Sequence, residues 1–139
     1  MKKIIALLIC TGSFLVGTSQ HLEKGNVVGQ HVGIIVLNPD VTFNQYKNFI
    51  LTKYIPEVNK AYGGDMMVYL SQSDRGNDEY TISVFYVYKS VEVRNKYYPS
   101  PDKPSDLATA MQEKLKPVAD QFTKLGRFVQ KYYNDWVVQ

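Results

Sequence analysis

The side chains with most capacity for chemistry are one strand histidine, two arginines and an excess of aromatic residues, with 11 Tyr, 6 Phe and a single Trp in 139 residues. His31 lies between Gly29 and Gly33. Two flanking glycines are expected to leave open space beside its ring, where an imidazole can donate, accept or move a proton near neutral pH. A packed or partly exposed imidazole fits the same spacing. Arg75 and Arg94 each carry a planar fork that holds a carboxylate through two parallel hydrogen bonds. Because Arg75 adjoins Asp74 in a polar turn and Arg94 projects from a short helix, structural ion pairing is favoured over substrate binding. Tyrosine joins a large apolar body to one polar tip, which suits both core packing and the wall of a pocket for an aromatic molecule. The candidate ligand-binding set is therefore His31, Tyr46, Tyr54, Tyr80, Tyr86, Arg94 and Trp136.

Other chemistry is not supported by the residues. Asp74, Asn77, Asp78 and Glu79 crowd one turn without the alternation and glycine of a calcium loop, so a solvated hairpin turn explains them. There is no Ser-His-Asp order, no glycine loop that would cradle phosphate and no pair of acids placed on one surface. A His21 exposed as a new N-terminus could chelate copper, but no partner histidine is placed beside it. No metal site and no cofactor are expected. The basic balance, with a calculated pI of 8.9, comes partly from Lys2 and Lys3, and no Lys/Arg cluster follows them that could track a phosphate backbone. Nucleic acid is not an expected partner.

Met1-Lys2-Lys3, the apolar run from Ile4 to Val16 and the small residues Gly17-Thr18-Ser19 before Gln20 read as a secretory signal. The run is shorter than the roughly 20 residues a spanning helix needs, so no membrane anchor is expected, and Cys10 lies inside it without the small residues just before it and the longer lead that lipid attachment needs. Residues 1–20 are assigned to a signal peptide and 21–139 to one domain, periplasmic or secreted, whose mature chain has no cysteine and must be held by packing.

Within that domain Val27 to Leu37 reads as a strand with Val28, Val32, Ile34 and Val36 on one face and His31, Ile35 and Leu37 on the other. Asn38-Pro39-Asp40 breaks it. Thr42 and Gln45 form a capping box opening a helix with the stripe Phe43, Tyr46, Ile50, Tyr54, Val58 and Ala61. Pro56 is expected to kink or end that helix ahead of Gly63-Gly64. Met66 to Ser73 and Glu79 to Tyr88 read as a hairpin. Ser90 caps a short helix to about Lys96, and Pro99, Pro101 and Pro104 stiffen the following loop. The last helix starts at Ser105 or Asp106, carries the stripe Leu107, Met111, Leu115, Val118, Phe122 and Leu125, is bent by Pro117 and ends at Gly126. Phe128 to Val138 closes the chain as a strand with Phe128, Tyr132 and Trp136 on one face.

The order strand, helix, hairpin, helix, strand gives an α+β, ferredoxin-like β-α-β-β-α-β unit, an antiparallel sheet with its helices on one face. Strands apolar on both faces leave the other face uncovered in a monomer, and a second copy packed sheet to sheet removes that surface. A homodimer is expected. Phe43, Tyr46, Tyr54-Ile55-Pro56, Ser73-Asp74-Arg75-Gly76, Tyr80, Ser90-Val91-Glu92-Val93-Arg94, Lys96-Tyr97-Tyr98-Pro99 and Asn134-Asp135-Trp136-Val137-Val138 resemble small exported bacterial members of the dimeric α/β barrel superfamily. The resemblance covers nearly all of residues 21–139 and implies the fold and the dimer. That superfamily includes cofactor-free monooxygenases of aromatic substrates, haem-degrading enzymes, isomerases and members without known activity. The helix histidine that serves the haem-degrading members as axial ligand has no counterpart here. The leading expectation is a homodimer that holds a small apolar or aromatic molecule between sheet and helices. A cofactor-independent monooxygenase-like enzyme using Tyr, His31 and Arg94, or a structural or assembly module, are the alternatives.

Overall fold

Four strands, β1 (Val27–Leu37), β2 (Met66–Gln72), β3 (Thr81–Tyr88) and β4 (Gly126–Val137), form one antiparallel sheet in the order β2-β3-β1-β4. The computed structural model describes residues 21–75, 81–101 and 103–139. The expected signal segment with Cys10, much of the 74–78 turn, and Tyr80 lie outside the described residues. Ser73 N–H donates to Thr81 O at 3.0 Å and closes the β2–β3 hairpin. The central places of β1 and β3 explain why both strands are apolar on both faces.

Between β1 and β2 the chain is helical without a break through α1 (Phe43–Phe49), a π-helical turn (Ile50–Tyr54) and α2 (Ile55–Ala61). Thr42 and Gln45 make the reciprocal capping box that opens it. Pro56 does not end this helix. It sits just past the π turn, where Ile55 N–H donates to Ile50 O, five residues back; the wider turn carries the chain past a residue that has no N–H to give. Gly63 and Gly64 then stop it in the left-handed region, at φ 57° and 86°, open to glycine without cost. Ser90 caps α3 (Val91–Tyr97) and Ser105 caps α4 (Asp106–Thr123), each accepting from the N–H three residues on. α4 stays α-helical through Pro117.

Cross-strand partners share a face, so the register assigns every strand residue. Val27, Gly29, His31, Gly33 and Ile35 of β1 lie with Tyr88, Tyr86, Val84 and Ile82 of β3 and Met66 and Val68 of β2. The helices cover this face: Val27, Met66, Val68 and Tyr88 form one core with Val58 of α2, Tyr62 just past its end, Tyr97 of α3 and the fully buried Ala108 of α4. Leu107, Met111 and Leu115 pack against that core, and Phe122 stacks on Tyr54 and tilts against Tyr46. The opposite face carries Val28, Val32, Ile34 and Val36 beside Phe85, Val87 and Tyr69.

The last strand departs from its expected pattern. Val32 is opposite Tyr132 but Gly33 is opposite Gln130, so Lys131 is an extra residue in β4. A bulge of this kind reverses the alternation of side chains beyond it. Phe128, opposite Ile35, therefore faces the helices, whereas Tyr132 and Trp136, opposite Val32 and Val28, lie on the other face, 54% and 58% exposed. Two glycines also differ from expectation. Gly126 is the first residue of β4 rather than a helix stop, and a Cβ there would lie 2.7 Å from Val36 O. At Gly33 the space is already occupied, since a Cβ would lie 2.6 Å from the Phe128 ring and also meet the Val129 carbonyl. Gly33→Ala is expected to destabilise the fold by about 1–3 kcal/mol, the usual cost of overpacking. Urea denaturation measures it, and an unchanged midpoint would contradict the close approach of β1 and β4.

Candidate functional site

A cavity of about 350 Å³ opens between the helix face of the sheet, α3 and the proline loop that follows it. Its floor is built by register. Gly29 and His31 of β1, Tyr86 and Tyr88 of β3, and Tyr133 and Asp135 of β4 all project from the same face, the last two because the Lys131 bulge puts odd-numbered residues there. The roof is Arg94 with Tyr98, Pro99, Ser100 and Pro101. Two hydrogen bonds shut the loop behind them: Ser105 N–H donates to Tyr97 O and Ser105 Oγ–H to Lys96 O, both at 2.8 Å.

His31 is fixed from three sides. Its Nδ1 lies 2.5 Å from Gln130 Oε1. A carbonyl oxygen only accepts, so Nδ1 carries the proton in this contact, and in the neutral ring the lone pair is on Nε2. The ring stacks on Tyr133, with centroids 5.3 Å apart and planes 18° apart, and meets Tyr86 edge-on at 4.9 Å. Gly29, beside it in the cavity floor, is closely approached by Asp135: a Cβ there would lie 3.1 Å from Asp135 Oδ1 and 3.8 Å from Tyr86 Cβ.

Arg94 Nη1 is bonded to Asp135 Oδ2, joining α3 to β4 across the cavity, and Arg94 Nε donates to Asn95 Oδ1 at 2.8 Å. Asp65 holds α3 from its other side. It accepts from Lys96 Nζ and from Tyr97 Oη, each at 2.9 Å, with Lys89 Nζ at 4.0 Å. Those bonds, led by that from Lys96, hold the Asp65 carboxyl below its ordinary 3.8. The tyrosines move the other way. Burial first, then neighbouring phenols, pushes Tyr86 and Tyr88 well above the usual range, and burial followed by a hydrogen bond to Tyr98 does so for Tyr62. These phenols are neutral hydrogen-bonding groups at physiological pH and cannot serve as bases.

Of the residues expected at a ligand site, His31, Tyr86 and Arg94 line the cavity. Tyr54 stacks on Phe122 in the helical layer and does not line it. Tyr46 is 1% exposed and belongs to the core, with its hydroxyl buried and without a hydrogen-bond partner among the described residues. Trp136 is on the other side of the sheet, because the bulge separates it from Phe128. Of the two glycines expected to leave space beside His31, Gly33 has it filled by Phe128 and Gly29 is closely approached by Asp135. Sequence reasoning missed Asp135, Tyr133, Tyr88 and Tyr98. Asp135 is one of few acids in a strand, which was a usable signal; the other three were hidden among many tyrosines.

Among the described residues no three His, Cys, Asp or Glu side chains gather as metal ligands, and no helix is long and apolar enough to cross a membrane. No family model matches the sequence, and no curated protein does. Among solved structures the chain is similar to a dimeric protein of unknown function and ferredoxin-like fold from Bacteroides fragilis NCTC 9343. The two are 8% identical, with a TM-score of 0.36, over 79% of this chain and 95% of that one.

The hold on α3 has a pH signature. A carboxyl whose folded value is lowered contributes stability that is present above its unfolded value and is lost as pH falls through the folded one. Asp65→Asn is expected to lower the melting temperature by a few degrees at pH 7, with the gap closing below about pH 4. A gap that persists at pH 2.5 in thermal scans would mean that Asp65 does not act through its charge.

Proposed function

We propose that this chain is an exported homodimeric protein that holds a small, partly apolar molecule between its sheet and α3. The observation that carries the reading is the cavity, where an oriented imidazole, an arginine–aspartate pair and several neutral phenols converge on a space sized for a small ring compound. Pockets of this kind, mostly apolar with a few placed polar groups, are the usual form of a small-molecule site. Export is supported by the basic start, apolar run and small residues of the first twenty positions. The dimer is supported by the second face of the sheet, where Trp136, Tyr132, Tyr69 and Val36 are exposed beside Val28, Ile34 and Phe85. Two such faces packed together give the dimeric α/β barrel arrangement and remove apolar surface that soluble monomers seldom leave open.

A second reading, a cofactor-independent monooxygenase-like enzyme, is favoured by one observation, the His31 imidazole held in the cavity wall through Nδ1, whose neutral form could take a proton from a bound phenol on Nε2. The raised tyrosines supply no alternative base. Binding and catalysis part at His31→Ala: a binding protein loses affinity and never shows turnover, whereas an enzyme loses turnover with its fold intact.

The test is thermal. A ligand that binds only the folded state raises its stability by about 2.7 kcal/mol at a hundredfold excess over Kd, so small aromatic compounds are expected to raise the melting temperature of wild-type protein by several degrees and that of Arg94→Ala by less. No response to any ring compound would defeat the binding reading. Intact-mass analysis of protein secreted by its host is expected to start near His21, and retention of Met1 to Val16 would defeat export.

A further inference from the structure

The charges of the cavity cancel before any ligand arrives. Among the described lining residues the only formal charges are Arg94 and Asp135, and they are bonded to each other with side chains only 27% and 35% exposed. A carboxylate entering on Arg94 must displace Asp135, leaving a second anion half-withdrawn from water with no partner. An ammonium entering on Asp135 leaves the guanidinium in the same position. Either exchange breaks a partly buried pair, and the group left behind bears a desolvation penalty that the new contact does not remove.

The remaining polar groups have defined roles. His31 Nδ1–H is committed to Gln130, so in the neutral ring Nε2 is an acceptor. Turning the ring over would keep its plane between Tyr133 and Tyr86 but would withdraw Nδ1 from Gln130, so that hydrogen bond fixes which edge is offered. Gly29 keeps Asp135 in reach of Arg94, since any larger residue there would crowd Oδ1. The space is near the small end of ligand cavities, which run from about 300 to 1,000 Å³, and its walls are phenol rings and prolines. One ring with a short substituent fits those limits.

We infer that this cavity selects an uncharged hydroxy-aromatic molecule over acid and amine analogues of the same size, with the ligand hydroxyl donating to His31 Nε2 and the Arg94–Asp135 pair left intact. The inference rests on the binding reading above and names its ligand class.

Titration calorimetry of the mature chain at pH 7 with 4-ethylphenol, 4-hydroxyphenylacetate, tyramine and ethylbenzene separates the cases, because the four share a ring and differ in charge or hydroxyl. 4-Ethylphenol is expected to bind about tenfold or more tighter than each of the other three. Asp135→Asn, which leaves Arg94 without its anion, is expected to reverse the order in favour of 4-hydroxyphenylacetate, with circular dichroism reporting that the variant is folded. Wild-type protein that takes the acid or the amine as well as the phenol overturns the charge selection and leaves the binding reading intact. Ethylbenzene binding as tightly as 4-ethylphenol overturns the role of Nε2. Binding of none of the four overturns this inference together with the reading on which it rests.

Discussion

One extra residue in the last strand decides what each face of the sheet is. Were Lys131 paired in step instead of bulged, Trp136 and Tyr132 would continue the alternation of Phe128 and point toward the helices, and Tyr133 and Asp135 would point away. With the bulge, Asp135 is on the helix side within reach of Arg94, Tyr133 is under His31, and the two large aromatics are on the opposite face. A bulge reverses every residue beyond it because strand side chains alternate with a period of two. The cavity and the exposed apolar face are thus two results of the same bulge.

Electrostatics then sets the character of the cavity. Burial drives the phenols of Tyr86 and Tyr88 toward their neutral form, and the arginine and aspartate consume each other's charge. Asp65 lies outside the cavity yet fixes its roof, because Lys96 and Tyr97, which it binds, are on the same short helix as Arg94. A seven-residue helix has little stability of its own. Its position comes from the Ser90 cap, from Asp65 and from the arginine bond to β4.

Much of the fold was legible because local chemistry decided it. Thr42 with Gln45, Ser90 and Ser105 mark helix starts that the structure reproduces through the same hydrogen bonds. The two-faced alternation of β1 was likewise readable, and the element order gave the four-stranded antiparallel sheet. Features fixed by non-local packing were not. Pro56 was expected to kink or end the helix, and the π turn that accommodates it has no sequence mark of its own. Gly33 looked like space, but Phe128, almost a hundred residues later, fills it. His31 and Arg94 were recognisable as uncommon residue types, whereas Trp136 was grouped with Phe128 on one face because register cannot be read through a bulge that leaves no trace in hydrophobicity. The choice among eleven tyrosines could not be made from type alone.

The two-sided sheet is tested most directly by its one tryptophan. Acrylamide quenching of Trp136 fluorescence, measured through a dilution series with and without saturating 4-ethylphenol, reads the partner face and the cavity face separately. Quenching should be weak in concentrated protein, strengthen as the chain is diluted to its monomer mass, and be indifferent to the ligand at a fixed degree of association. Quenching that ignores dilution but is suppressed by ligand would put Trp136 in the cavity and contradict the register on which the arrangement depends.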